Sequence, residues 1–162
     1  MIRAATRDDL PAIEELAREL AGHQSPWRVF PPDPGLVDTV VNRYRRFLAS
    51  GAALVLVAEH GGEVVGMACA EVLAPSRFSS EEAVELSGVV VRDGLRGQGL
   101  GGELVRAAAR FGRERGVRRL VVDTFSGNAE GMEFWLGLGF EPRVTQLTAE
   151  VDRLGTDGAR PF

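Results

Sequence analysis

The sequence contains no lysine, and its nineteen lysine-or-arginine positions are all arginine. This absence excludes three kinds of chemistry. A P-loop needs a lysine to reach the phosphates, a Schiff-base enzyme needs a lysine amine, and autoacetylation of a lysine side chain needs the same group. Enzymes that work in any of these ways lie outside the functions that the sequence allows.

Cysteine and histidine are also scarce. Cys69 is the single cysteine, so no disulfide can form within the chain, and its neighbours Met67 and Ala68 indicate a core position in a strand. The two histidines, His23 and His60, show no metal-ligand spacing with other residues. We interpret both histidines as loop residues and expect no metal cofactor.

An excess of positive charge is absent as well. The formal charge is −4, the isoelectric point is near 5.3, and no arginine stripe alternates with aromatic residues, which argues against binding to nucleic acid. The composition calls for no membrane architecture, and the N-terminus lacks a signal-peptide pattern. We therefore expect a cytoplasmic protein with neither a nucleic acid nor a membrane as partner.

What is present is typical of a globular protein. The chain has 162 residues, 44% of them apolar and 26% charged, which suits one domain with a buried core, predicted over 1–152 with a short tail over 153–162. Apolar periodicity predicts an α/β fold in which a mixed sheet of about six strands is flanked by four helices. The predicted strands are Ile2–Ala5, Leu54–Glu59, Val64–Leu73, Ala83–Val91, Arg118–Phe125 and Phe140–Val151, and the predicted helices run from about Pro11 to Gly22, Leu36 to Ser50, Gly99 to Arg115 and Asn128 to Leu138.

The stretch from Val84 to Gly102 is the most informative part of the chain. A β-type run is followed by a glycine-rich turn that leads into a helix, and glycines at 97, 99, 101 and 102 let the main chain approach an anion closely. The unpaired N–H groups and the dipole at the start of a helix favour a phosphate. We interpret this stretch as a pyrophosphate-binding loop.

The same glycines also fit a dinucleotide-binding fingerprint. Gly97 to Gly102 satisfies G-x-G-x-x-G, and Asp123 lies toward the end of the next predicted strand, about where a ribose-binding acid would be expected. Against this alternative, the residues from Arg92 to Arg96 separate the strand from the first glycine. The predicted antiparallel hairpin around 60–63 also does not fit a repeated βαβ order.

Two motifs together point to a known family. The segment Arg96–Gly101 resembles the R/Q-x-x-G-x-G/A signature of the GNAT family of acetyl-CoA-dependent N-acetyltransferases, and Val91–Arg96 resembles the approach to it. The segment Asn128–Phe140 is similar to the family's N-x-x-A-x-x-F-Y-x-x-x-G-F pattern, and the opening Ile2–Ile13 is similar to a common family start. The resemblance implies a single-domain GNAT-like fold and acetyl-CoA as co-substrate.

The resemblance also assigns roles to residues. Backbone N–H groups from Arg96 to Gly102 would hold the pyrophosphate of coenzyme A, and the strand before the loop would hydrogen-bond the pantetheine arm and polarise the acetyl carbonyl. Phe134 and Trp135 would pack around the arm, and Asn128 would contact it while capping its helix. The complete set of expected coenzyme-binding residues is Val89, Val90, Val91, Arg96, Gly97, Gln98, Gly99, Leu100, Gly101, Gly102, Asn128, Phe134 and Trp135.

Glu85 is the candidate catalytic base, because some family members carry a glutamate on this strand at the same distance before the loop. An amine attacks only when it is neutral, so a group must accept its proton. Since alternate strand residues share a face, Glu85 is expected on the coenzyme side with Ser87, Val89 and Val91.

Other roles in the reaction stay open at this point. Glu71, Glu59 and a water held by the main chain are alternatives for the base. Trp135 stands where the family often has a tyrosine that reprotonates the coenzyme A thiolate, and an indole is not a usable acid at physiological pH. No general acid is therefore assigned.

The sequence thus predicts an N-acetyltransferase that moves an acetyl group from acetyl-CoA to a primary amine of a small molecule or peptide, by direct transfer in a ternary complex. The alternatives are a coenzyme A-binding module without catalysis, a transferase for an acyl chain longer than acetyl, and a dinucleotide-binding oxidoreductase. Trp27, Phe30 and Tyr44 are candidates for contact with the acceptor. Where many family members end with two strands, this chain offers one, which leaves a homodimer as an option.

Overall fold

A computed structural model of the protein describes residues 1–27, 34–76 and 79–149. Phe30, the predicted tail over 153–162 and the end of the predicted last strand lie outside these residues. The described strands are β1 (Ile2–Ala4), β2 (Ala53–His60), β3 (Glu63–Leu73), β4 (Ala83–Val91) and β5 (Leu120–Val122), and the α-helices are α1 (Leu10–Gln24), α2 (Leu36–Ser50), α3 (Leu100–Glu114) and α4 (Ala129–Gly137).

The strands form one mixed sheet in the order β1-β2-β3-β4-β5. The first four strands are antiparallel to their neighbours, whereas β5 lies parallel to β4 after the crossover through α3. The α/β class, the four helices and the hairpin between β2 and β3 are confirmed. The antiparallel order of β1–β4 is incompatible with the repeated βαβ order of a dinucleotide-binding fold.

Two details of the predicted elements are wrong. Both histidines were expected in loops, but His23 lies in the last turn of α1 and His60 is the last residue of β2. The expected strand over 140–151 is absent from the described residues 140–149. Pro142 lacks a backbone donor, and the side chains of Val144 and Leu147 are 59% and 89% exposed, so burial does not stabilise a strand there. The described sheet therefore has five strands rather than six.

The core has two halves, one on each face of the sheet. On one face the sheet packs against α3 and α4, through residues such as Leu86, Leu104 and Trp135. On the other it packs against α1 and α2, through residues such as Leu16 and Tyr44. This alternation of buried residues on both faces explains why the central strands are apolar throughout.

A bulge at Gly88 reverses which residues of β4 point to each face of the sheet. The register with β3 pairs Cys69 with Ser87 but Met67 with Val90, so β4 holds one extra residue, and Gly88 adopts a positive φ of 61°. Before the bulge Leu86 faces α3, and after it Val91 does. Glu85 therefore shares a face with Ser87 and Val90 but not with Val89 and Val91, so the expectation that it shares a face with those two valines is wrong.

The last strand pair separates part of the way along β4. The pairing of β4 with β5 runs only from Val84–Leu120 to Leu86–Val122, while β4 continues to Val91. From Ser87 onwards, β4 has no neighbouring strand on this side in the described part of the chain. The gap leaves room for a ligand beside the strand.

Candidate active site

A cleft of about 500 Å³ occupies the gap between β4 and β5 and extends to the start of α3. All the predicted coenzyme-binding residues except Gln98 line it, namely Val89, Val90, Val91, Arg96, Gly97, Gly99, Leu100, Gly101, Gly102, Asn128, Phe134 and Trp135. Gln98 is exposed to solvent. The cleft thus joins the glycine-rich loop, the free side of β4 and the start of α4 in one space.

The glycine-rich loop presents backbone N–H groups at one end of the cleft. Gly99 is the N-cap of α3 and has a φ of 85°, and the first helical backbone bond is donated by Glu103 to the Gly99 carbonyl, at 3.0 Å. Within the described part of the chain, no protein acceptor takes the N–H groups of residues 97–102. Unpaired donors at a helix start form a ready site for an anion.

Arg96 holds this loop against two other elements. Its Nε donates to the Val91 carbonyl at 3.1 Å, and its Nη2 lies 3.4 Å from Glu19 Oε1 of α1. The same carboxylate oxygen accepts from the backbone N–H of Asp93 at 2.9 Å. The guanidinium of Arg96 is therefore engaged within the protein, while the backbone N–H groups that follow it stay available.

Aromatic side chains from α4 form one wall of the cleft. The ring of Phe134 lies so close to the start of α3 that a Cβ on Gly101 would come within 3.2 Å of it. Trp135 is 9% exposed and packs edge-to-face between Phe134 and Phe140, with ring centroids 4.8 and 5.1 Å apart. The indole in this wall supplies apolar surface.

Asn128 caps α4. Its Oδ1 accepts a hydrogen bond from the backbone N–H of Gly131 at 2.9 Å. The residue also lines the cleft, so the helix cap and a place beside a ligand coexist at this position.

Glu85 lies in a charged cluster on the α2 face of the sheet. It is paired in register with Glu71 of β3, and Arg43 of α2 reaches both carboxylates, with its Nη2 at 2.5 Å from Glu71 and 3.7 Å from Glu85. We call these three residues the acidic triad; its side chains are half-buried and together carry one net negative charge. Of the alternative bases, Glu71 belongs to this cluster.

Glu59 is positioned elsewhere. Its carboxylate accepts from Arg3 Nε and Nη2 at 2.9 and 2.6 Å, and Arg3 also binds Asp9. The hydrogen bonds from Arg3 lower the pKa of Asp9 to about 2. This group ties β1 to β2 and to the start of α1, and none of its residues lines the cleft.

The candidate acceptor residues have different surroundings. The Trp27 ring packs on the loop between β5 and α4, where a Cβ on Gly127 would lie 2.6 Å from it. Tyr44 is 4% exposed, and its hydroxyl reaches the bulge at Gly88. Neither residue lines the cleft itself.

Cys69 is fully buried on the face of the sheet that packs against α1 and α2. Burial raises the pKa of its thiol to about 11, an effect that nearby Arg43 only partly opposes. At neutral pH the thiol is protonated, which makes it a packing group rather than a nucleophile.

Sequence reasoning missed several groups at this site. Leu20, His23 and Gln24 from α1 and Arg106 from α3 line the cleft, and Arg43 joins the acidic triad. Arg106 follows Gly102 by one helical turn, so its place near the loop could have been read from helical spacing. Arg43 carried no such signal because the same helix contains three arginines at 43, 45 and 46.

In the described part of the chain, no group of three or more histidine, cysteine or acidic side chains is close enough to hold a metal ion. None of the helices in the described ranges has the length and apolar character needed to cross a membrane.

Known proteins resemble the chain in both sequence and fold. The family model for the Acetyltransferase (GNAT) family matches residues 13–140. An L-methionine sulfoximine/L-methionine sulfone acetyltransferase of Pseudomonas paraeruginosa is 31% identical over 144 residues, which cover 86% of this chain and 79% of that protein. A mycothiol acetyltransferase of Amycolatopsis mediterranei is 32% identical over 56% of this chain and 31% of its own length.

Solved structures share the fold. A predicted acetyltransferase with acetyl-CoA from Clostridium acetobutylicum has a TM-score of 0.74 at 12% identity, over 94% of this chain and 97% of that one. The aminoglycoside N-acetyltransferase AAC(6')-Iy, in complex with a bisubstrate analog, has a TM-score of 0.73 at 23% identity, over 93% and 97% of the two chains. At these identities the likeness concerns the fold.

Proposed function

Because the chain belongs to the GNAT family of acetyltransferases, we propose that it transfers an acetyl group from acetyl-CoA directly to the amine of a small, amino-acid-like acceptor. The observation that carries the proposal is the row of unpaired N–H groups at residues 97–102, which opens into the cleft beside the free side of β4. Acetyl-CoA supplies an activated acyl thioester. The residues of this chain bind it, align it and take up the acceptor's proton.

The lining of the cleft supports one orientation for the proposed coenzyme. The N–H groups of the loop suit its pyrophosphate, and the apolar wall of Phe134 and Trp135 suits its pantetheine arm. The free side of β4 from Ser87 to Val91 offers main-chain groups to the amides of that arm, in the manner of an added strand. A main-chain donor near Val89 would stabilise negative charge that develops on the acetyl oxygen.

The acidic triad supports an acceptor that carries both an ammonium and a carboxylate. Two carboxylates at Glu71 and Glu85 attract the amine, and Arg43 can bind a carboxylate. The relative from P. paraeruginosa is named for acceptors of this chemistry. We assign proton uptake from the amine to Glu85, which lies one residue pair from the parting of β4 and β5.

A coenzyme A-binding protein without catalysis is the second candidate. Trp135 favours it, because this position offers no acidic hydroxyl to the departing thiolate. The two candidates differ in whether thiol is released when an amine is added.

The deciding experiment measures thiol release from acetyl-CoA with a panel of acceptors. The panel contains L-methionine sulfone, L-methionine sulfoximine, an aminoglycoside, a polyamine and a short peptide, and N-acetyl-L-methionine sulfone serves as the matched control without a free amine. We expect release with the amino acids and none with the control. Binding of coenzyme A by calorimetry without release for any amine would favour the second candidate, and binding of NADH instead of coenzyme A would overturn both.

A homodimer and a cytoplasmic location complete the proposal. The edge strand β5 exposes Val121 to 40%, and a strand edge of this kind can pair with a second copy. Sedimentation of a clean monomer at working concentration would exclude the dimer. Fractionation of cells that express the protein tests the location.

A further inference from the structure

The Tyr44 hydroxyl is buried and has no hydrogen-bond partner within the described part of the chain. Only 4% of the residue is exposed, and no protein donor or acceptor there contacts its Oη. Buried hydroxyls in folded proteins are nearly always hydrogen-bonded. An unpaired one beside a cleft therefore points to a bound molecule as its partner.

The hydroxyl occupies a space that the bulge of β4 leaves open. A Cβ on Gly88 would lie 2.0 Å from Tyr44 Oη and 3.3 Å from Tyr44 Cζ, so the oxygen fills the place of the missing side chain. Gly88 lines the cleft, whereas the Tyr44 ring belongs to the core between the sheet and α1 and α2. The phenol thus reaches Gly88, a residue of the cleft lining, from the face opposite α3.

The charged groups on this face would bring an amine to the same place. Arg43 precedes Tyr44 in α2, and it contacts Glu71 and Glu85, which lie on the same face before the bulge. Burial raises the pKa of the Tyr44 phenol above its ordinary value, so the hydroxyl stays protonated at neutral pH. It can form hydrogen bonds but cannot serve as the base.

We propose that Tyr44 is a catalytic residue whose hydroxyl oxygen accepts a hydrogen bond from the acceptor amine at Gly88. The bond holds the nitrogen with its lone pair toward the thioester carbonyl. Tyr44 neither takes nor gives a proton, and proton uptake stays with Glu85. The inference rests on the proposed function and adds an orienting group to it.

The first test compares Tyr44→Phe with Asn42→Ala, which removes an exposed polar group from the same helix. With an acceptor that the wild type acetylates, Tyr44→Phe should lower kcat at least tenfold and leave the KM for acetyl-CoA within twofold. The pH of maximal turnover should not move, because the phenol does not titrate in the working range. Asn42→Ala should match the wild type, and a Tyr44→Phe enzyme with wild-type kcat would overturn the inference.

The second test checks the position of the hydroxyl without any activity. Gly88→Ala carries backbone strain in every background, but its clash with Oη exists only when Tyr44 is present. Thermal unfolding should therefore show a larger loss of Tm for Gly88→Ala in the wild type than in the Tyr44→Phe background. Equal losses would place the hydroxyl elsewhere and overturn the inference.

The two proposals fail in different ways. A wild-type protein that releases no thiol with any amine overturns the proposed function and the role of Tyr44 with it. An active wild type whose Tyr44→Phe variant is equally active overturns the role of Tyr44 alone.

Discussion

Glu85 is the side chain on which the proposed proton transfer depends. Replacing it with glutamine keeps the shape and removes the base, so turnover should fall about 100-fold, within the range that a general base contributes. The pH of maximal turnover should shift upward, because more of the free amine must then form in solution. Steady-state kinetics across pH measure both effects.

Two other glutamates, Glu81 before β4 and Glu71 in β3, provide comparisons for this substitution. Glu81→Gln, at an exposed position before β4, should leave turnover and pH profile unchanged. Glu71→Gln distinguishes the two members of the acidic triad. An unchanged profile for Glu85→Gln together with a shifted one for Glu71→Gln would move the base to Glu71.

Cys69 should be unreactive in the folded protein. Its thiol is fully buried and its pKa is raised to about 11, so the thiolate needed for attack on a disulfide reagent is scarce. Titration with Ellman's reagent should detect no thiol before denaturation and one per chain after it. A rapid reaction of the native protein would contradict this burial.

Asp9 links stability to acid pH. The pKa of its carboxyl is about 2 in the folded protein, below the ordinary 3.8. The ionised carboxylate therefore stabilises the fold above about pH 4, and this stabilisation is lost as the pH falls toward 2. The difference in free energy of unfolding between wild type and Asp9→Asn should be on the order of 2 kcal/mol at pH 7 and should narrow below pH 4. Denaturant titrations at several pH values measure it, and a difference that does not change with pH would contradict the ion pair with Arg3.

The side chains show where sequence reasoning reaches its limit. The position of the loop glycines at the start of α3 and the helix cap at Asn128 could be predicted, because both depend on local backbone geometry. The face of Glu85 depends on one extra residue at Gly88, which reverses the alternation of side chains between the two faces. A glycine within a β-type run is a local signal of such a bulge, but it does not fix the register with the neighbouring strand. The contact between Tyr44 and that bulge joins residues 44 positions apart.

At the scale of elements, the loop before α3 can be tested by a matched pair of glycines. Gly99 and Gly116 flank the same helix, both have a positive φ, and neither would meet a neighbour within 4 Å if it carried a Cβ. Alanine at either position should cost roughly 1–2 kcal/mol in backbone strain. Only Gly99→Ala should also weaken acetyl-CoA binding, by about tenfold, because it disturbs the N–H groups that face the cleft.

Isothermal titration and thermal unfolding of both variants separate the two effects. Similar losses of Tm with a changed Kd for Gly99→Ala alone are the expected result. Equal Kd values for the two variants would argue against the loop as the phosphate site.

Most elements could be predicted because their signals are local. Helical spacing of apolar residues gave α2 over Leu36–Ser50, and β-type composition gave β4 over Ala83–Val91, with the bounds that the structure has. The short β5 and the absent strand after Phe140 depend on which sheet edge is available and on what is buried there. Those are tertiary properties, and a window of sequence does not contain them.

At the scale of the whole molecule, coenzyme binding should stabilise the fold. A ligand at 100 times its Kd that binds only the folded protein adds about 2.7 kcal/mol. For a chain of this size, that is a rise in Tm of about 5 to 10 °C. Thermal unfolding with acetyl-CoA measures it, and pantetheine, which lacks the phosphates, should give a much smaller shift.

The parting of β4 from β5 has a consequence for the protein's lifetime in a cell. If acetyl-CoA occupies the place of the strand that the sheet lacks there, its binding stabilises the fold. Each turnover then removes this stabilisation when coenzyme A leaves and restores it when the next acetyl-CoA binds. Starvation for acetyl-CoA would leave the molecule in its most open form, which proteases attack first. Abundance of the enzyme would then follow the metabolic supply of the compound that it consumes.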